Sequence, residues 1–222
     1  MAHLTNLSQK LNQNLNKTLT KGRVAISQPS GCPSINLYLF DPLVLEGPLS
    51  HDEAQAVVAE PAYWSFCWAS GQVLAQYILS HPERVAGKVV VDVGSGSGIV
   101  AIAAALSGAK TVYACDIDHD AIDAINANAQ ANHVAIQTIT GLDELAENID
   151  LITAADVLYD RDNFGLLNTF TDMATEVLLA DSRVKTLPVT HYQPKTTVEA
   201  RTWPDLNEFE EFNQVRIYAS TR

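Results

Sequence analysis

Basic side chains are scarce in this sequence: 14 Lys and Arg stand against 26 Asp and Glu, a formal net charge of −12 at pH 7. That balance argues against the phosphate backbone of nucleic acid as the main partner and suits a basic or cationic one. Cysteine is sparse too. Cys32, Cys67 and Cys115 are odd in number, far apart and never spaced as Cys-x-x-Cys. This indicates neither a disulfide framework nor a zinc site, and points to a reducing, cytoplasmic setting. No two histidines show metal-ligand spacing, so no metal is expected. No apolar run reaches about 18 residues, so no membrane-spanning segment is expected. The first 40 residues lack Asp and Glu altogether while carrying Lys10, Lys17, Lys21 and Arg23, a superficial likeness to an organelle transit peptide. Their richness in Asn and Gln and the lack of an early arginine weigh against that. Leu4, Leu7, Leu11 and Leu15 recur at helical spacing and predict a short helix laid on the domain. Internal repeats and low-complexity tracts are absent.

What is present is enough apolar material for one domain, 47% of 222 residues. From about residue 88 strand and helix patterns alternate, the signature of a parallel sheet covered on both faces. Strands are expected at 88–93, 111–116, 134–138, 151–155, 176–181, 197–202 and 215–218, with helices at 99–106 and 121–132 and an acidic helix around 206–212. Asp118 caps the second of these helices. A helix between the last two strands would let the final one return antiparallel at the sheet's edge. Upstream, 23–28 and 35–40 alternate around a Pro-Ser-Gly turn as a hairpin. A polar stretch with Pro48 and His51 to Glu53 then leads to a helix from about Gly71 to Ser80.

The segment VVVDVGSGSG puts Asp92 in a buried strand and Gly94, Ser95, Gly96 and Gly98 in the turn that opens a helix. Glycine permits a tight reversal and close approach of a ligand, and the helix N-terminus offers free N–H groups. A dinucleotide fingerprint needs a third glycine at 99, where Ile99 stands. Asp116, 24 positions after Asp92 (116 − 92), ends the next strand, where it can bind both hydroxyls of a ribose. Since Asp118 is free to cap the following helix, Asp116 is not needed for that.

Asp92, the glycine loop and Asp116 together resemble the first motifs of the class I, seven-strand S-adenosylmethionine-dependent methyltransferases. PAYWSFCWASGQVLAQYIL before the first strand and ADVLYD at the end of the fourth are similar to the family of lysine methyltransferases that modify the beta subunit of electron transfer flavoprotein. The resemblance implies an α/β, Rossmann-like seven-stranded mostly parallel sheet with helices on both faces and an antiparallel last strand. The likeness runs from about residue 33 to the C-terminus and is strongest between 61 and 160, and the chain is expected to divide into an N-terminal helix and hairpin extension, 1–60, and a methyltransferase domain, 61–222. The resemblance also implies S-adenosyl-L-methionine as cofactor, with Trp68 and Ala155 joining Gly94, Gly96 and Asp116 around it and Leu142 near the adenine. Trp64 and Trp68 are four apart, and their plain reading is core filling on one helical face. Ala69, Ser70 and Gly71 would leave room for a ligand beside the Trp68 indole.

Ligands in such sheets sit beyond the carboxyl ends of the strands where strand order reverses. Asp156 and Tyr159 are therefore expected to face the transferred methyl. For a lysine acceptor, Asp156 would orient the amine and stabilise the positive charge on nitrogen, and Tyr159 would wall the amine pocket. Asp181, Ser182 and Arg183 would line the substrate entrance or simply form a turn. The expected activity is protein-lysine N-methylation. The beta subunit of electron transfer flavoprotein is the partner implied by the resemblance, and a ribosomal protein a second; neither nucleic acid nor membrane is expected. A small-molecule N-methyltransferase and an inactive cofactor-binding module are the alternatives.

Overall fold

A computed structural model of the chain describes residues 2–44, 61–206 and 209–221, with side chains from residue 7 onward and up to 220. Helix α1 (Ala2–Leu15) and a hairpin of β1 (Val24–Ser27) and β2 (Leu37–Phe40) come first. Then follow α2 (Ala69–Ser80), β3 (Val89–Val93), α3 (Ile99–Leu106), β4 (Thr111–Cys115), α4 (His119–Ala131), β5 (Gln137–Ile139) and β6 (Ile149–Ala155). The chain continues through α5 (Leu166–Met173), β7 (Ala174–Asp181), β8 (Gln193–Glu199) and β9 (Gln214–Thr221). The main sheet has the order β5-β4-β3-β6-β7-β9-β8. Its first four pairings, β5 to β7, are parallel, and β9 is antiparallel to both of its neighbours.

Every residue of β3 is buried, as a run of consecutive valines in a central strand requires. The last strand is not at the edge as expected; it inserts between β7 and β8. The reason is legible in composition. Val215, Ile217, Tyr218 and Ala219 of β9 are buried, whereas β8, QPKTTVE, is exposed throughout and carries Pro194 and Lys195, residues that blunt an edge against further pairing. The strand expected at 197–202 thus begins earlier, at Gln193. The strand expected at 134–138 shortens to 137–139. Only a 3-10 turn, Glu210–Asn213, stands where an acidic helix was expected, and residues 207 and 208 lie outside the described residues.

Helix α1 lies on α4: Leu11 and Leu15 are buried with Ala121, Ala124 and Ala127, and Lys10 and Lys17 pair with Asp123 and Asp120 on the rim. The hairpin is tied to the same helix, since Asn128 Oδ1 accepts from the Tyr38 N–H (2.6 Å) and Asn132 bridges both backbone groups of Asn36. Ile35, Leu37 and Leu39 enter the main core with α2 and α3. The boundary drawn at residue 60, with Pro48 and His51 to Glu53, lies outside the described residues.

Candidate active site

Strand order reverses between β3 and β6, so the loops leaving their carboxyl ends emerge side by side, Val93 being paired with Ala154. The two loops touch. Gly94 has φ +64°, and a Cβ there would stand 2.7 Å from Cγ1 of Val157, so only glycine lets the loop after Asp156 close against it. Gly96 has φ +52° and meets nothing within 4 Å except its own loop's backbone, so its face is open to a ligand. Gly98, also in the left-handed region, precedes α3 directly as its N-cap.

Asp92 lies beneath this loop, buried, and not at its lip. Its carboxylate accepts from Ser95 Oγ (2.5 Å) and Thr153 Oγ1 (2.8 Å), tying loop to β6. Burial pushes its pKa up to about 6 against the pull of those two hydrogen bonds. Asp116, half-buried at the tip of β4, accepts the Gly96 N–H on Oδ2 (2.8 Å) and the Asp118 N–H on Oδ1 (3.0 Å). Each carboxylate oxygen has two acceptor positions, so capacity for further donors remains. Burial raises its pKa and the amide donors lower it. Asp118 caps α4 through the Asp120 N–H, as expected. Ile117, unforeseen, is 89% exposed directly beside Asp116. Leu142 starts a 3-10 turn whose loop is closed by Glu144, which accepts from the Thr140 and Gly141 N–H groups.

Asp156 has φ +53°, in the left-handed region that Asp tolerates better than most residues but still at some cost. The position is over-determined by three donors on one oxygen. Oδ1 accepts from Ser70 Oγ (2.7 Å), Ser182 Oγ (2.8 Å) and the Ser182 N–H (3.0 Å), while Oδ2 has no partner among the described residues. The carboxylate is therefore aimed with one oxygen held and the other offered. Ala155 ends β6 just before it, paired with Ala180 of β7, which brings Ser182 alongside. Sequence reasoning missed this clamp, because Ser70 and Ser182 are distant in the chain from Asp156.

Two expectations around Trp68 need correction. Trp64 and Trp68 do not share a helical face: Trp64 sits buried in the 3-10 turn Tyr63–Ser65, and Trp68 is the extended N-cap of α2. Their separation of four residues spans a break in the helix. The space at Gly71 is taken by Ile99, whose Cγ2 would be 3.2 Å from an added Cβ, so this glycine serves close packing of α2 on α3 rather than making room for a ligand. Trp68 itself is half-buried, its indole N–H donating to the Tyr63 carbonyl (3.0 Å). Tyr159 is 60% exposed and its ring lies 5.8 Å from that of Tyr63. His119 begins α4 and His191 lies in the loop before β8.

Asp181 is fully buried. Its Oδ1 accepts the N–H groups of Arg183 and Val184 (2.8 and 2.6 Å), and Oδ2 has no hydrogen-bond partner among the described residues. Burial first, and the neighbouring Asp156 charge second, push its pKa up to about 6. A carboxyl whose pKa is higher folded than unfolded gives its full contribution to stability below about pH 4 and loses it as pH rises through 6. Asp181→Asn keeps the accepting oxygen and removes the charge. It should raise the melting temperature at pH 7.5, by the equivalent of up to about 3 kcal/mol, with the gap closing below about pH 4. Thermal melts of both proteins across pH check this; an equal gap at every pH would show that the charge is not responsible.

Comparison with known proteins bears on this geometry. A family model described as ribosomal protein L11 methyltransferase (PrmA) matches residues 73–184. The electron transfer flavoprotein beta subunit lysine methyltransferase of Rattus norvegicus is 39% identical over 127 residues, covering 54% of this chain and 50% of that protein. The Homo sapiens protein of the same name is 39% identical over 129 residues, covering 54% and 48%. The chain thus spans about half the length of these curated relatives. Among solved structures, magnesium protoporphyrin IX methyltransferase from Synechocystis PCC 6803 with bound SAM superposes with a TM-score of 0.54 at 17% identity, covering 82% of this chain and 88% of that one, a likeness of fold.

Proposed function

We propose that this chain, which belongs to the ribosomal protein L11 methyltransferase (PrmA) family, is an S-adenosylmethionine-dependent methyltransferase acting on lysine side chains of a protein. The observation that carries the reading is Asp156, clamped on one oxygen and open on the other, touching the glycine loop at the switch point through Val157. The site's residues fit the cofactor. The open face of Gly96, the remaining acceptor capacity of Asp116 for a ribose diol, and the exposed side chain of Ile117 beside Asp116 suit a nucleoside. Ser95 and Asp92 hold that loop in shape from below. On this reading Trp68 and Ala155 join the cofactor's surroundings, Ala155 as the last residue of β6 just before Asp156.

When bound, S-adenosylmethionine supplies a methyl carbon made electrophilic by its sulfonium. The remaining work is positioning, since in-line displacement needs the nucleophile held at about 3 to 3.5 Å. Asp156 Oδ2 accepts a hydrogen bond from the lysine Nζ, orients its lone pair and stabilises the positive charge that stays on nitrogen. The amine's proton leaves to water. Ser70 and Ser182 keep the carboxylate from rotating away. Tyr159 walls the amine, and the net charge of −12 tolerates a lysine-bearing epitope.

The relatives' names make the beta subunit of electron transfer flavoprotein one candidate substrate and the family's makes ribosomal protein L11 another. A cytoplasmic setting goes with this reading. The test is to incubate the purified chain and methyl-labelled S-adenosylmethionine with a lysate of cells lacking it. Label in protein that maps to lysine Nζ is expected; label in small molecules alone, or nowhere, overturns the proposal.

A further inference from the structure

Aromatic rings usually go to the core, yet a row of them lies at this site's rim. Tyr63 is 46% and Tyr159 60% exposed, with ring centroids 5.8 Å apart at 43°. The Trp68 ring lies 5.7 Å from that of Tyr63, and the Phe66 ring 6.0 Å from that of Trp68. Neither tyrosine hydroxyl makes a hydrogen bond among the described residues, so no polar contact explains why the rings are held there. The turn that carries Tyr63 is braced by the Trp68 indole on its carbonyl. Tyr159 ends the 3-10 turn Val157–Tyr159, three residues past Asp156. Asp160 follows Tyr159 directly in the chain and the Asp116 charge also acts on it, so this tyrosine stands in a negative field. Half-exposed ring faces in such a field attract a cation.

Resting on the lysine reading above, we infer that Tyr63 and Tyr159 form an aromatic seat for the methylated ammonium of the substrate lysine, which holds the product of one transfer in place for the next. Each methyl added replaces one N–H, so the hydrogen-bonded grip of Asp156 Oδ2 on Nζ weakens with every round. Attraction to ring faces needs no N–H and persists as methyls accumulate. In each round the amine first loses one proton to water, its lone pair forms the new N–C bond, and sulfur keeps the electron pair of the broken S–C bond.

Two probes separate charge from shape: the amide of Nα-acetyl-Nε-trimethyllysine and its neutral carbon isostere, in which a tert-butyl group replaces trimethylammonium. Titrated into the full chain and followed by NMR, the cation should bind roughly tenfold more tightly than the isostere. Tyr63→Leu should erase that preference and Tyr63→Phe retain it. Intact mass of the protein labelled in lysate should shift toward the singly methylated form with Tyr63→Leu but not with Tyr63→Phe. Equal binding of the two probes, with label still entering protein lysine, overturns the seat and leaves the lysine reading standing. Absence of label from protein while the probes still differ overturns the lysine reading, and the seat for methyl-lysine with it.

Discussion

Replacing Asp156 by Asn is expected to lower kcat by about 10² to 10³ while leaving the affinity for S-adenosylmethionine within about threefold of the parent. The substitution suits the question because so little else changes. Asn, like Asp, tolerates the φ of +53° found there, and its carbonyl oxygen can still accept hydrogen bonds from Ser70 and Ser182. What changes is the free position: an acceptor with charge becomes an NH₂ donor, which points hydrogens at an incoming amine and offers nothing to the positive charge on nitrogen. Calorimetry with the cofactor and single-turnover methylation of the lysate substrate give the two quantities separately. Turnover at the parent rate would remove Asp156 from the chemistry. Loss of cofactor affinity together with turnover would place Asp156 in the cofactor site instead.

The opposite split is expected for Asp116→Ala. Two charge-assisted hydrogen bonds to ribose hydroxyls are worth about 1.5 to 3 kcal/mol each, so the cofactor Kd should rise by at least about 10². Turnover at saturating cofactor should fall far less than in the Asp156 variant. Asp116 also organises its neighbours, accepting the Gly96 and Asp118 N–H groups, so part of the lost affinity comes from a loosened loop. Asp116→Asn keeps one acceptor for those amides and should recover part of the binding. Cofactor affinity equal to the parent's in Asp116→Ala would make the ribose assignment wrong.

Much of the frame was legible because it is written in short-range pattern. The helix Ile99–Leu106 has the expected bounds, since alanine-rich apolar periodicity ends there at Ser107 and Gly108. The capping of α4 by Asp118 needed only a side chain two residues from its donor. The strand expected at 134–138 is shorter in the structure because Val134 and Ile136, which alternate like strand residues, lie outside it. Both pack against the main core cluster and only Gln137–Ile139 pair with β4. The inserted position of β9 was missed although Pro194 marked its neighbour as an edge strand.

By itself the sequence determined the alternation of strand and helix, the glycine loop, and the two strand-end aspartates, because each depends on residues within a few positions of one another. Tertiary structure alone decided what those groups touch. Ser70 reaches Asp156 across 86 positions and Ser182 across 26; Val157 fills the space at Gly94, and Tyr63 meets Tyr159. Such contacts depend on which strands become neighbours, and that is set by the burial balance of the whole sheet.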